Sequence, residues 1–262
     1  HQTHGRLSLP CVCFRYTIRL NSGVRRHINR PMPSPIIIAL DCESAAEALE
    51  IVERLGPEAD HYKVGLQLLT EVGPDLIRTL VQSGKHIFLD LKLHEIPISV
   101  AGAVKAAGKL GVSLVTVHAS GGSAVLRSAV VAAKPFQQLK ILALTVVTSL
   151  TDADLPEIGV TGPINAQVSR LALLAANSGC HGVVASAQEA ARLRSLLPKD
   201  ALIVCPGIQL NTPSPSDHAR LATPRFAANS GASHVIIGRA ITAAQDPVAA
   251  FHTAQSLFRS DA

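Results

Sequence analysis

Asp90-Leu91-Lys92 puts a carboxylate and an ammonium two positions apart, and on an extended strand such residues share a face. Glu95 follows three residues later, and Lys63 lies in an earlier apolar run, His61–Gly65, that can flank Asp90. If the shared face looks into a cleft, lysines and carboxylates alternate there in low dielectric. Each charge then has neighbours of opposite sign, which keeps every member of the array ionised. An ammonium fixed among carboxylates can stabilise developing negative charge or deliver a proton. A structural ion pair accounts for Asp90 and Lys92 taken alone about as well. The balance shifts towards chemistry because further polar groups recur at the ends of other apolar runs.

Those groups are Asp41 after Ile36–Leu40, His118 with Ser120-Gly121-Gly122 behind it, Thr148-Ser149, Ser186, Pro206-Gly207 and Gly238-Arg239. Ile236-Ile237-Gly238-Arg239-Ala240 reads as strand, glycine turn, arginine and helix. Backbone N–H groups at such a turn bind phosphate, and Arg239 would add a bidentate donor. The plain alternative is a surface arginine after an ordinary turn. A histidine ending an apolar strand, as His118 does, is more often a satisfied core residue than a catalyst. No His, Cys, Asp or Glu cluster has the spacing of metal ligands, and Cys11-x-Cys13 lacks a second pair.

The elements that must position these groups are short apolar runs alternating with helical segments. Strands are predicted at Ile36–Asp41, His61–Gly65, His86–Leu91, Leu114–His118, Ile141–Val147, Gly182–Ala185, Leu202–Cys205 and Val235–Gly238. Near-continuous apolar runs of this kind suit parallel strands covered on both faces. Helical spacing is predicted over Ala45–Leu55, Pro74–Ser83, Ser99–Leu110, Ser123–Ala133, Ala166–Ser178, Ala187–Leu197, His218–Asn229 and Pro247–Phe258. An alternating series fits an open doubly wound sheet or a closed (β/α)8 barrel. Eight repeats in a chain of this length favour a single-domain barrel. Asp41-Cys42-Glu43-Ser44 also lacks the glycines of a dinucleotide-binding first turn. In a barrel these strand ends converge on one rim, which is where active sites lie. The longest irregular stretch, Pro206–Asp217, has the length of a functional loop.

The chain has 262 residues, 47% apolar and 16% charged, enough to bury one large core. That excludes a disordered or fibrous chain. Aromatics are 3% with no Trp, which argues against stacking platforms for nucleic acid. No run of apolar residues is long enough for a membrane span. The net charge of +5 comes from residues 1–31, which hold Arg6, Arg15, Arg19, Arg25, Arg26 and Arg30 and no Asp or Glu. The remainder is close to neutral, so the basic balance is not a nucleic-acid footprint on the fold. Met32, the sole methionine, directly follows this segment. Residues 1–31 read either as a basic transit peptide or, preferably, as sequence upstream of the true start, which leaves 32–262 as the folded domain. Three widely spaced cysteines, Cys42, Cys180 and Cys205, suit reduced thiols in a cytoplasmic protein.

Asp90-Leu91-Lys92-Leu93-His94-Glu95-Ile96-Pro97 resembles the Asp-x-Lys-x-x-Asp-Ile-Pro signature of the orotidine 5′-monophosphate decarboxylase family, in its bacterial form. Supporting motifs fall in order: Ala39-Leu40-Asp41, Tyr62-Lys63-Val64-Gly65, Val117 through Gly122, Leu144 through Ser149, Val183 through Glu189, Pro206-Gly207-Ile208 and Ile237-Gly238-Arg239. The resemblance implies a homodimeric (β/α)8 barrel that makes UMP and CO2 in pyrimidine synthesis, with no metal or cofactor. It further implies that Lys92 protonates C6 and that Asp90 sits beside the departing carboxylate. Lys63 and Asp41 would hold ribose hydroxyls, and Thr148 would read the pyrimidine edge. Gly238 and Arg239 would take the phosphate, helped by the Pro206-Gly207 loop. Glu95 would come from the partner subunit. Loss of CO2 from C6 leaves a carbanion with poor delocalisation, so a fixed cation such as Lys92 must stabilise it. Gripping the remote phosphate can drive closure and offset desolvation.

Several positions depart from the family pattern, among them Ile98-Ser99, which stands where the family has Asn-Thr. Glu95 stands where the family has Asp, longer by one C–C bond of about 1.5 Å, a misplacement that can cost about 10²-fold in rate. Asp217-His218-Ala219-Arg220 stands for Asp-Gln-x-Arg, so His218 replaces a Gln that closes over phosphate and ring. The competing readings are a Mg²⁺-dependent sugar-phosphate decarboxylase or aldolase of the same superfamily, and a nucleotide-binding relative that has lost its chemistry.

Overall fold

The computed structural model describes residues 34–210 and 220–259. Residues 1–31 and His218 fall outside that range, and with them the reading of the basic extension. Eight strands form in chain order: β1 (Ile36–Leu40), β2 (His61–Gly65), β3 (His86–Leu93), β4 (Leu114–His118), β5 (Lys140–Leu144), β6 (Gly182–Val184), β7 (Leu202–Cys205) and β8 (His234–Ile237). Each pairs in parallel with its sequence neighbours, and β8 closes on β1. This is the expected (β/α)8 barrel, also called a TIM barrel.

The helices are α1 (Ala45–Leu55), α2 (Leu66–Val72), α3 (Asp75–Gln82), α4 (Pro97–Leu110), α5 (Gly122–Ala133), α6 (Ile164–Asn177), α7 (Ala187–Leu196), α8 (Pro224–Asn229), α9 (Arg239–Thr242) and α10 (Pro247–Arg259). Alternation along the strands divides the core in two. Ile36, Ile38, Leu40, Tyr62, Val64, Ile87, Leu89, Val115 and Val117 join the layer under the helices. Ile37, Ala39, Phe88, Leu114, Leu142, Leu144, Val184, Val204 and Ile236 fill the barrel interior. Packed layers of this kind make the barrel a solid core, not a pore.

The inward parity has a consequence at each end. Towards the C-terminal rim it reaches Asp41, Asp90, Thr116 and His118, each at an even spacing from an interior apolar residue of its own strand, and Lys63, which pairs with interior Ala39 and Phe88 on the neighbouring strands. Towards the opposite end it reaches His61, His86 and His234, at the first positions of β2, β3 and β8. The His61 ring makes edge contacts with His86 and His234, at centroid distances of 5.9 and 5.8 Å.

Several elements differ from the sequence reading. β5 ends at Leu144 instead of Val147, because Thr145 directs both its N–H and its Oγ1 to the Val184 carbonyl and the chain then turns away. Thr148 therefore lies in the β5–α6 connection. α2 was not expected, since its seven residues between Gly65 and Gly73 carry no capping side chain; burial of Leu68 holds it. The helix predicted from His218 starts at Pro224, where Thr223 caps it by accepting the Phe226 N–H at 3.2 Å. Ala222 is extended and bridges Ile208 instead. β3 runs on to Leu93 through an irregularity that shapes the site.

Candidate active site

That irregularity begins with the register of β3 on β4. Leu89 pairs with Val115 and Leu93 with Val117, so Asp90, Leu91 and Lys92 all lie opposite Thr116. Lys92 absorbs the extra length with a φ of +50°, the only positive φ among the described non-glycine residues. Bulges of this type re-aim a side chain. Here the bulge lets Lys92 Nζ donate to Asp90 Oδ2 at 2.8 Å. The other carboxylate oxygen, Oδ1, accepts from Thr116 Oγ1 at 2.8 Å, and Thr116 Oγ1 accepts the Lys92 backbone N–H at 2.8 Å. Thr116 is fully buried and Asp90 nearly so, while the Lys92 side chain keeps 36% of its surface open. An ammonium that is anchored on one side and open on the other can meet a ligand.

Lys63, from β2, donates to Asp41 Oδ1 at 2.8 Å. Asp41 is half exposed and Lys63 is largely buried. Two glycines keep this pair accessible. A Cβ on Gly65 would stand 3.3 Å from Lys63 Nζ, and one on Gly238 would stand 3.5 Å from Asp41 Oδ2. The array read from the sequence thus resolves into two couples at the mouth of the barrel, Asp41–Lys63 and Asp90–Lys92.

Glu95 does not join them. It is exposed, and its Oε1 accepts the Ile96 N–H at 2.8 Å. Beside it Ile96 and Ile98 are 58% and 78% exposed. His94 stacks on His118 with ring centroids 4.9 Å apart, and His118 Nδ1 lies 2.6 Å from Ser120 Oγ. Burial, His94 and Lys92 together push the His118 pKa below its ordinary value.

The remaining strand ends lie around the same rim. Thr148 is buried, at 5% exposure. After β7, Gly207 takes a φ of +74°, in the left-handed region that glycine tolerates. The chain beyond it is stitched to Ala222, which donates its N–H to the Gly207 carbonyl and accepts from the Gln209 N–H. Gly238 precedes the single turn of α9 and Arg239 begins it, exposed.

Sequence reasoning missed Thr116 and the pair Glu189–Arg220. Glu189 and Arg220 form a buried ion pair at 2.5 Å, and Arg220 Nη2 also donates to the Val147 carbonyl at 3.3 Å. Burial raises the Glu189 pKa, opposed by Arg220. A signal for Thr116 existed, since it is a polar residue at inward parity in an apolar strand. Glu189 and Arg220 both stand in segments that carry the family resemblance, but nothing in their spacing shows that they pair. Among the described residues no group of three or more His, Cys, Asp or Glu is placed to hold a metal ion. None of their helices is long and apolar enough to cross a membrane.

A closed parallel barrel with ionisable side chains gathered at the C-terminal rim defines the molecule as an enzyme-type (β/α)8 barrel. Residues 34–254 match the orotidine 5′-phosphate decarboxylase / HUMPS family, and the chain belongs to that family. An orotidine 5′-phosphate decarboxylase of Nitrosococcus oceani is 43% identical over 224 residues, spanning 85% of this chain and 97% of the relative. The Sodalis glossinidius protein of the same name is 44% identical over 218 residues, with 82% and 86% coverage. The crystal structure of orotidine 5′-phosphate decarboxylase from Lactobacillus acidophilus superposes with a TM-score of 0.78 at 36% identity. It covers 87% of this chain and all of that one.

Proposed function

We propose that the chain decarboxylates orotidine 5′-monophosphate to UMP and CO2, the step that completes UMP in pyrimidine synthesis. The observation that carries the reading is the Asp90–Lys92 couple, fixed by Thr116 and open to the barrel mouth. Its setting is a chain with relatives that bear the name of this activity along nearly their whole length.

In the reaction the bond between C6 and the carboxylate carbon breaks and its electron pair stays on C6. Asp90 stands beside the departing carboxylate, and that crowding is relieved as neutral CO2 leaves. The Lys92 ammonium stabilises the carbanion and gives its proton to C6, forming UMP and a neutral amine that solvent reprotonates. Preorganisation is the source of the rate, since the cation is in place before charge develops. Lys63 and Asp41 hold the ribose hydroxyls, and Thr148 reads the edge of the ring. Gly238, Arg239 and the loop that starts at Pro206-Gly207 take the phosphate, with His218 contributing from that loop. The step needs no metal or cofactor, because Lys92 supplies the positive charge.

The same reading makes the protein a homodimer with shared sites. Glu95 then reaches the partner's Asp90–Lys92 couple, and Ile96 and Ile98 are covered by the partner. Its place is the cytoplasm, in keeping with the free thiols of Cys42, Cys180 and Cys205.

The test is product stoichiometry in EDTA. One UMP and one CO2 should appear for each orotidine 5′-monophosphate consumed, at a rate unchanged by the chelator. UMP binding without turnover would mean that only the nucleotide grip remains, and loss of turnover in EDTA would favour a metal-dependent relative.

A further inference from the structure

Thr116 has one hydroxyl proton and two neighbours that fix its direction. The Lys92 N–H can only donate, so Thr116 Oγ1 accepts from it at 2.8 Å. The hydroxyl proton is thereby left for Asp90 Oδ1, also at 2.8 Å. Asp90 Oδ2 receives the Lys92 ammonium at 2.8 Å. The result is a closed ring of contacts running from the Lys92 backbone to Thr116, to the Asp90 carboxylate, to Lys92 Nζ, and back along the lysine side chain.

We propose that Thr116 is a positioning residue for the decarboxylation, holding the Asp90 carboxylate and the bulged Lys92 backbone in the one arrangement that presents the ammonium to C6. The proposal rests on the roles given to Asp90 and Lys92 above. Three features make the hydroxyl necessary. Lys92 sits at a φ of +50°, which an L-residue holds only when its surroundings over-determine it. Three residues of β3 face one of β4 at this point, so the strand ladder cannot supply the Lys92 amide with its usual acceptor. Asp90 is buried to 6% exposure, and a buried carboxylate oxygen without a donor is costly. Thr116 answers all three with one atom, and being fully buried on a strand it has little freedom to move away.

The consequence is specific to the reacting end of the substrate. UMP carries hydrogen at C6 where the substrate carries its carboxylate, so UMP does not press on Asp90. Removing the hydroxyl without changing the shape, in Thr116→Val, frees the carboxylate to rotate and the bulge to relax. kcat should fall about 10²-fold, the cost of an ångström-scale misplacement, while the Kd of UMP stays within about threefold because the distant contacts persist. Thr116→Ser keeps the hydroxyl and should retain kcat within about fivefold of the parent.

The experiment measures kcat, UMP affinity and thermal unfolding for both variants, with Asp90→Asn and Lys92→Ala in parallel, and determines the crystal structure of Thr116→Val. A Thr116→Val enzyme within twofold of the parent in kcat overturns the proposal. Equal losses in Val and Ser, or a loss of UMP affinity matching the loss of kcat, assign Thr116 to packing and also overturn it. If Thr116→Val does not fold, Thr116→Ala against Thr116→Ser gives the same comparison. Activity surviving in Asp90→Asn and Lys92→Ala brings down the reading of the site itself, whereas their inactivation beside an active Thr116→Val brings down only the role of Thr116. In the crystal, a turned Asp90 carboxylate is expected, and an unchanged one overturns the proposal without reference to turnover.

Discussion

Glu95 folds back on its own neighbour, with Oε1 on the Ile96 N–H, and so presents its charge outwards beside two exposed isoleucines. If it completes the partner's site, Glu95→Ala should lower kcat by about 10²-fold in a folded dimer, through an undercompensated lysine cluster. A mixture separates this from local damage. Glu95→Ala and Lys92→Ala subunits, unfolded and refolded together, form mixed dimers with one intact site, and activity should return to about a quarter of the parent by random pairing in a two-fold dimer. No recovery, or a Glu95→Ala enzyme equal to the parent, would place Glu95 outside the site. At this scale the sequence was informative wherever residue type and strand-end position coincide, as at Asp90, Lys92 and Arg239. It set Lys92 beside Asp90, as the structure does, but also set Lys63 against Asp90, where the structure pairs Lys63 with Asp41. The Lys63–Asp41 couple depends on register between strands far apart in the chain, and the reach of Lys92 depends on a bulge that alternation alone does not reveal.

Elements meet the site through contacts that carry load between loops. Arg220 reaches Glu189 on α7 and the carbonyl of Val147, next to Thr148. It thereby joins the connections after β5, β6 and β7. Both side chains are mostly buried, at 12% and 6% exposure, so leaving either one alone strands a charge. Arg220→Met or Glu189→Met should each cost about 3 kcal/mol or more, whereas the two together should cost far less than the sum. Urea unfolding of the four proteins measures this, and single changes below about 1 kcal/mol would show that the pair is solvated and does not brace the loops. The strands and longer helices were legible because apolar period and length agree. α8 begins later than its sequence suggests because Arg220-Leu221-Ala222 are all good helix formers, yet long-range pairing of Ala222 with Ile208 holds this segment extended. Local pattern carries no trace of such a partner.

At the scale of the whole barrel, polar residues close both ends of the apolar interior, and the floor makes the fold sensitive to acid. At the floor, burial lowers the pKa of His61 to about 3 and that of His234 to about 4, helped by neighbouring His234, His86 and Lys140. The unfolded chain binds these protons near pH 6.5 and the folded chain does not. Stability is therefore unaffected above pH 7 and is lost as pH falls from 6.5 towards 4, by about 2 kcal/mol for His61 at pH 5. His61→Leu should flatten that slope in urea unfolding at pH 7 and 5, and an equal slope in parent and variant would show that other groups govern acid lability. That the fold is a barrel followed from eight repeats and one rim of polar strand ends. That its floor is a histidine cluster did not, because His61, His86 and His234 are 25 and 148 residues apart and meet only on closure. Lys92 is the group on which the proposed reaction depends most. The most direct measurement is decarboxylation of orotidine 5′-monophosphate by Lys92→Ala beside the parent, with UMP affinity determined on both. The expected result is a loss of at least about 10³-fold in kcat/KM, from the missing cation and proton together, with UMP still bound. A Lys92→Ala enzyme within tenfold of the parent would contradict it.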